Sequence, residues 1–183
     1  IVFAKPVSLA FSYSDSLEAD EKFVALAYQG ADKTWFAPKE VFLNETDDKI
    51  SVQTKHFSDW TVFSRLSVEP ISGSVIINES LDLNVQFVGA LNTTTDSEGV
   101  EVNNLNINNE VVTTWQANAG TVVKQSDNTA LYTAPSAVPS PNPVEVSVTF
   151  NNLNFIQNGV SFSNPKLTST IRVLGEESIF FVE

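Results

Sequence analysis

The chain has 183 residues, with 22 acidic against 10 basic side chains and a formal net charge of −12. Such a charge repels phosphate backbones and anionic lipid surfaces, so nucleic acid is excluded as a partner. Cysteine is absent, which excludes a disulfide framework and thiolate chemistry, and no run of about 18 apolar residues offers a transmembrane helix.

In chain order, Val7, Leu9, Phe11 and Tyr13 alternate with Ser8, Ala10 and Ser12. This is the period of a half-buried strand, with Pro6 at its start. Residues 14–21 are polar and acidic, a turn or a single helical turn capped by Ser14 or Ser16. Strands are predicted over 23–29, over 34–37 around Trp35, at Ile50, Val52 and Thr54, and over 60–64. Turns fall at 30–32 and 44–48. Residues 65–69 read as a linker.

Beyond a turn at 70–73, strands are predicted over 75–77 and 81–88. Residues 92–109 form a long polar segment anchored only by Val100, Val102, Leu105 and Ile107, with room for one short strand. A strand over 111–117 carries Trp115. Residues 120–124 and 129–133 read as a hairpin across Ser126, Asp127 and Asn128. Four prolines make 134–143 a loop. Val144, Val146 and Val148 alternate again, 151–165 is an Asn-rich connection, and 167–174 is the closing strand. Residues 179–182 are apolar and read as an edge strand or a lead into further sequence.

Strands spaced by about ten residues with turns between them point to an all-β chain of antiparallel sandwiches. The composition break near Arg65 divides it into two tandem domains, residues 1–65 and 66–175, with 176–183 as a tail. The second has the size of a seven-stranded immunoglobulin-like domain. Its Trp115 and Tyr132 are expected in the core.

Two stretches resemble known families. Phe3, Pro6, Val7, Leu9, Ser12 and Tyr13 follow the pattern F-x-x-P-V-x-L-x-x-S-Y. With Trp35 and the tripeptide His56-Phe57-Ser58, residues 1–64 resemble the C-terminal half of the ZU-type domain of ankyrins, netrin receptors and death-domain adaptors. That resemblance implies a β-sandwich whose earlier strands lie upstream, and it places the family's self-cleavage site at His56-Phe57-Ser58. The second stretch carries Trp115, then Tyr132-Thr133-Ala134-Pro135, then Pro141-Asn142-Pro143-Val144-Glu145-Val146. It resembles bacterial immunoglobulin-like surface modules, which implies an architectural or adhesive part without an active site.

The chemistry the sequence offers is concentrated at His56, the single histidine. Histidine moves protons near neutral pH, and a hydroxyl within its reach is a potential nucleophile. Ser58 would attack the carbonyl carbon of Phe57 with His56 as base, and water would hydrolyse the resulting ester. The plainer reading ends a strand at His56, packs Phe57 and turns at Ser58 or Asp59. Asp47 with Asp48, and Asp96 with Glu98 and Glu101, offer oxygen ligands for calcium but lack a calcium-loop spacing. Trp35, Trp60 and Trp115 are core residues or a carbohydrate platform. Asn44, Asn78 and Asn92 head glycosylation acceptor triplets.

The resulting expectation is a non-enzymatic structural or adhesive interaction module, extracellular or on a bacterial cell surface. It uses no cofactor or metal and meets a protein or carbohydrate partner. A chain that starts at Ile1 without Met or signal peptide is expected of a mature fragment. Its first domain would then lack early strands and recruit a strand, or a second copy of the chain, to its open edge. The alternatives are a self-processing domain cutting between Phe57 and Ser58, and a carbohydrate- or calcium-binding accessory module.

Overall fold

The computed structural model describes residues 2–13, 21–95, 98–105, 111–157 and 160–176. They are all-β, with antiparallel sheets and no α-helix among the described residues. The strands are β1 Val2–Ser12, β2 Val24–Gln29, β3 Trp35–Pro38, β4 Phe42–Asn44, β5 Lys49–His56, β6 Trp60–Ser64, β7 Leu66–Glu69, β8 Ser72–Ile76 and β9 Ser80–Thr95. They continue with β10 Gly99–Leu105, β11 Val112–Ala117, β12 Thr121–Lys124, β13 Thr129–Thr133, β14 Val144–Asn151, β15 Asn154–Gln157, β16 Val160–Ser163 and β17 Lys166–Leu174. One 3₁₀ turn, Glu21–Phe23, precedes β2. The anticipated cap at Ser14 or Ser16, the acidic Asp96 and the apolar tail 179–182 lie outside the described residues.

The chain separates into two compact units. The first comprises Ile1–Leu66, Phe87–Leu105 and Ile156–Val160. The second comprises Ser67–Gln86, Asn106–Phe155 and Ser161–Glu183. The sequence reading kept all of 66–175 together, whereas Phe87–Leu105 groups with the N-terminal strands. The reason is backbone pairing: Gly99, Val100 and Glu101 of β10 lie opposite Pro38, Ala37 and Phe36 of β3. Long-range ladders of this kind leave no mark in local composition.

In the first unit, β1, β5 and β4 form one antiparallel sheet, with Leu9 opposite Val52 and Phe42 opposite Ser51. Strands β10, β3, β2 and β6 form the other, joined at the far side of β10 by residues 87–95 of β9. Ile50, Val52 and Thr54 are buried while their neighbours in β5 are more open. That is period-two alternation, so these side chains share one face. On β2 and β6, Leu26 lies opposite Val62 and Tyr28 opposite Trp60. The two faces meet in a core of Tyr13, Val24, Leu26, Ile50 and Val52, flanked by Phe11, Leu43 and Trp60.

Residues 65–69 are not a linker. Leu66, Ser67 and Val68 are buried in β7. Leu66 and Val68 carry the same two-residue period, too short a run to stand out in the sequence. Arg65 itself is strapped down within the first unit. Its N–H donates to the Phe23 carbonyl (2.8 Å), its carbonyl accepts from the Val88 N–H (2.8 Å), and its Nε donates to the Val88 carbonyl (3.2 Å).

The second unit is built from the sheet β11, β14, β17 and β8, in which β17 and β8 run parallel. A second ladder joins β12, β13 and residues 80–84 of β9. The expected hairpin is present, with Val122 opposite Tyr132. Trp115 and Tyr132 are both buried, as the sequence implied, and so are Val146, Val148, Phe150 and Ile171 of the same unit. Gly120 adopts a left-handed φ of 77°, and a Cβ there would meet the Thr133 carbonyl at 2.5 Å and the Tyr132 ring at 2.9 Å. Only glycine lets that turn close over the tyrosine. The Asn-rich stretch 151–165 contains β15 and β16, whose Phe155 and Phe162 rings stack at 5.2 Å.

Candidate functional site

The alternation that buries Ile50, Val52 and Thr54 puts His56 next on the same face, at the end of β5. It therefore lands among the aromatic residues of the facing sheet. Its ring lies 4.8 Å from Tyr28, edge-on, and 6.0 Å from Trp60, stacked. Tyr28 also meets Trp60 at 5.3 Å and Phe36 at 5.6 Å, and Trp60 meets Phe11 at 5.9 Å. The histidine is the polar end of an aromatic row.

What answers its polarity is Glu98. Its Oε2 lies 3.2 Å from His56 Nε2, and the side chains are 24% and 26% exposed. The contact becomes an ion pair when the imidazole is protonated. The same Oε2 accepts from Thr54 Oγ1 at 2.8 Å, and Oε1 accepts from the Lys55 N–H at 3.2 Å. Thr54 Oγ1 in turn accepts from the His56 N–H at 3.2 Å. One carboxylate thus serves three successive residues at the end of β5. Charge-assisted bonds of this type are the stronger class.

Glu98 reaches β5 because β10 approaches β2 and β3 closely. Its carbonyl accepts from the Lys39 N–H at 3.1 Å, extending the β3–β10 ladder by one step. The next residue is Gly99, where a Cβ would lie 2.6 Å from the Tyr28 hydroxyl and 2.7 Å from the Ala37 carbonyl. Any larger residue would push β10 and its glutamate away. The sequence showed this acid only as one of several in a polar segment. The Glu-Gly pair at the start of an alternating Val100, Val102 run was the available signal.

The other two residues of the tripeptide are placed differently. Phe57 and Ser58 lie in the connection from β5 to β6. Phe57 is 55% exposed, with its ring edge-on to Phe3 at 4.8 Å. Ser58 Oγ is buried and has no hydrogen-bond partner. The structure therefore brings His56 to Glu98, and no hydrogen bond joins His56 to Ser58.

The described acidic residues Asp47, Asp48, Glu98 and Glu101 do not form a cation site. Asp47 accepts from Asn44 Nδ2 at 2.9 Å within its own turn, and Asp48 has a left-handed φ of 50°. Glu98 is committed to β5, and Glu101 lies opposite Phe36 in the β3–β10 ladder. Among the described residues no three histidine, aspartate or glutamate side chains come together as a metal site. Trp35 and Trp60 stand in strands of the first unit, and Trp115 stands in a strand of the second.

Beside the Glu98 cluster lies a cleft of about 350 Å³, within the range of small-ligand sites. Four successive residues of β5, Val52 to Lys55, line it. Side chains alternate across a strand, so four in a row means that the cleft follows the backbone edge of β5. Pro38, Lys39, Glu40 and Phe42 from the chain leading into β4, Trp60, Glu98, Tyr28 and Pro6 of β1 complete the lining. No protein-family model matches the chain, and none of the curated proteins is significantly similar to it.

Proposed function

We propose that this chain is a non-enzymatic extracellular or cell-surface protein whose two β-sheet units act as structural and adhesive interaction modules. The observation that carries the reading is the use made of His56. Its Nε2 is committed to Glu98, within a carboxylate clamp that ties β5 to β10. The one histidine available for proton transfer is thereby employed as a staple between two sheets. The all-β architecture and the strongly acidic composition fit a solvent-facing interaction module. The motif resemblances to a ZU-type sandwich and to bacterial immunoglobulin-like modules point the same way. Mass spectrometry of the chain under denaturing conditions, after prolonged incubation at neutral pH, tests this. One full-length mass is expected; fragments ending at Phe57 and beginning at Ser58 would overturn the reading.

A second reading has its own observation. A carboxylate that orients a histidine, with a serine hydroxyl buried and unsatisfied two residues on, follows the logic of an orienter, a base and a nucleophile. In that reading Ser58 Oγ bonds to the Phe57 carbonyl carbon as the peptide C–N bond breaks, and His56 carries the proton from the hydroxyl to the freed amine. Water then hydrolyses the ester. The same mass measurement separates the two readings.

A further inference from the structure

We propose that the cleft along the edge of β5 is a binding site for a neutral pyranose, the end or a side branch of a glycan. The proposal rests on the reading of the chain as an interaction module and names the ligand class of one of its surfaces.

The ladder between β4 and β5 runs only from Asn44 opposite Lys49 to Phe42 opposite Ser51. Beyond Ser51, β5 has no partner in β4. On the other side, β1 pairs with β5 up to Val7 opposite Thr54 and again, past a bulge, at Val2 opposite His56, and Pro6 in that bulge also borders the cleft. The Lys55 N–H points into the cleft, where Glu98 Oε1 takes it. In an antiparallel strand the direction of N–H and C=O repeats every two residues. The N–H and C=O of Gln53 therefore point into the same cleft, with no strand opposite them.

A strand edge normally invites another strand. Here the free edge is too short for that. Lys55 is already capped by the carboxylate, which leaves Gln53 alone, and strand addition needs several successive residues. The chain running from Pro38 into β4 at Phe42 also forms the facing wall. The cleft suits a compact ligand that both donates and accepts hydrogen bonds over a short span.

The side chains fit the same chemistry. Lys39 and Lys55 balance Glu40 and Glu98 around the opening, so a charged ligand gains no net attraction despite the acidity of the whole chain. Gln53 offers a donor and an acceptor. Phe42 is 61% exposed at the rim, and Trp60 lies within. A sugar ring presents an apolar C–H face to an aromatic ring and hydroxyls to amides, which is the pairing this cleft supplies.

The test is a titration of the isotopically labelled chain, followed through its amide resonances. The probes are cellobiose, maltose, lactose and N,N′-diacetylchitobiose, and separately a blocked, uncharged peptide of alternating threonine and valine. At least one disaccharide is expected to shift the Phe42, Gln53 and Lys55 amides saturably below about 10 mM, with affinity near ~1 mM. Phe42→Ala should weaken that binding about tenfold, and its unfolding midpoint should stay unchanged because the ring is exposed. No saturable shift with any disaccharide overturns the proposal, as does binding indifferent to Phe42→Ala. Shifts produced by the peptide alone overturn it in favour of strand addition. Denaturing mass spectrometry of the same sample keeps the two readings apart. A full-length chain that ignores sugars defeats the sugar site only, and a chain cut after Phe57 defeats the non-enzymatic reading only.

Discussion

The two units surround their aromatic residues differently. In the second, Trp115 and Tyr132 are buried in a closed apolar core, and neither the indole Nε1 nor the phenol hydroxyl has a hydrogen-bond partner. A neutral donor left unsatisfied costs about 1–3 kcal/mol, which burial of so large a ring offsets. In the first, Trp60 Nε1 is likewise buried without a partner, but Tyr28 and Trp60 pack against an imidazole that cannot be left without partners, and Glu98 supplies one. The difference teaches where chemistry can sit in an all-β chain. A strand that stays apolar to its end is sealed, while a strand that turns polar at Thr54 and His56 needs a carboxylate and opens onto a cleft.

The largest expected effect breaks the closed side of this comparison. Trp115→Ala should lower unfolding stability by about 3–5 kcal/mol, read as a shift in the denaturant midpoint. An unchanged midpoint would mean that the second unit has its core elsewhere.

The polar side should yield less. Glu98→Ala leaves the Thr54 hydroxyl, the Lys55 N–H and His56 without their shared acceptor. Because the carboxylate is partly exposed, the expected loss is about 1–3 kcal/mol. Glu98→Gln keeps one acceptor oxygen and should lose less than Glu98→Ala. Equal losses for the two variants would show that the carboxylate's charge and second oxygen do not matter, and the clamp would reduce to ordinary packing.

A pH measurement sharpens the contrast from the second unit. Burial raises the Tyr132 phenol above its ordinary value of 10.0. The native state then holds that proton more tightly than the unfolded chain. The stability involved is complete below about pH 10 and is lost as pH rises through the raised value. Denaturant midpoints measured upward from about pH 9 should fall at the alkaline end, and Tyr132→Phe should reduce the fall. An identical alkaline slope in the variant would assign the titration to other groups.

The smallest effect belongs to a pair that serves neither centre. Lys124 Nζ lies 3.1 Å from Asp127 Oδ1, and both side chains are more than a third exposed. Lys124→Ala should change stability by no more than about 0.5 kcal/mol. A larger loss, seen by thermal or denaturant unfolding, would mean that the hairpin β12–β13 depends on its turn charges.

Much of this was legible in the sequence, because a two-residue period is a local property. The alternation of Val7, Leu9 and Phe11, of Ile50, Val52 and Thr54, and of Val144, Val146 and Val148 marked β1, β5 and β14. It also assigned their buried faces. Trp60 to Ser64 and the β12–β13 hairpin were equally visible. Short or interrupted elements were not. β4 has three residues, β7 hides two apolar positions inside an apparent linker, and β15 with β16 rests on two phenylalanines in an asparagine-rich stretch.

Sequence alone also singled out His56 and its neighbours on the β5 face. Only the tertiary structure decided what that histidine does. Its partner is 42 positions away in the chain. The partner arrives through backbone ladders between β10 and β3 and through the close approach that Gly99 permits. Alternation fixes which way a side chain points, since it depends on the pleat of one strand. Which strand lies opposite depends on long-range pairing, and that is settled only when the whole chain has folded.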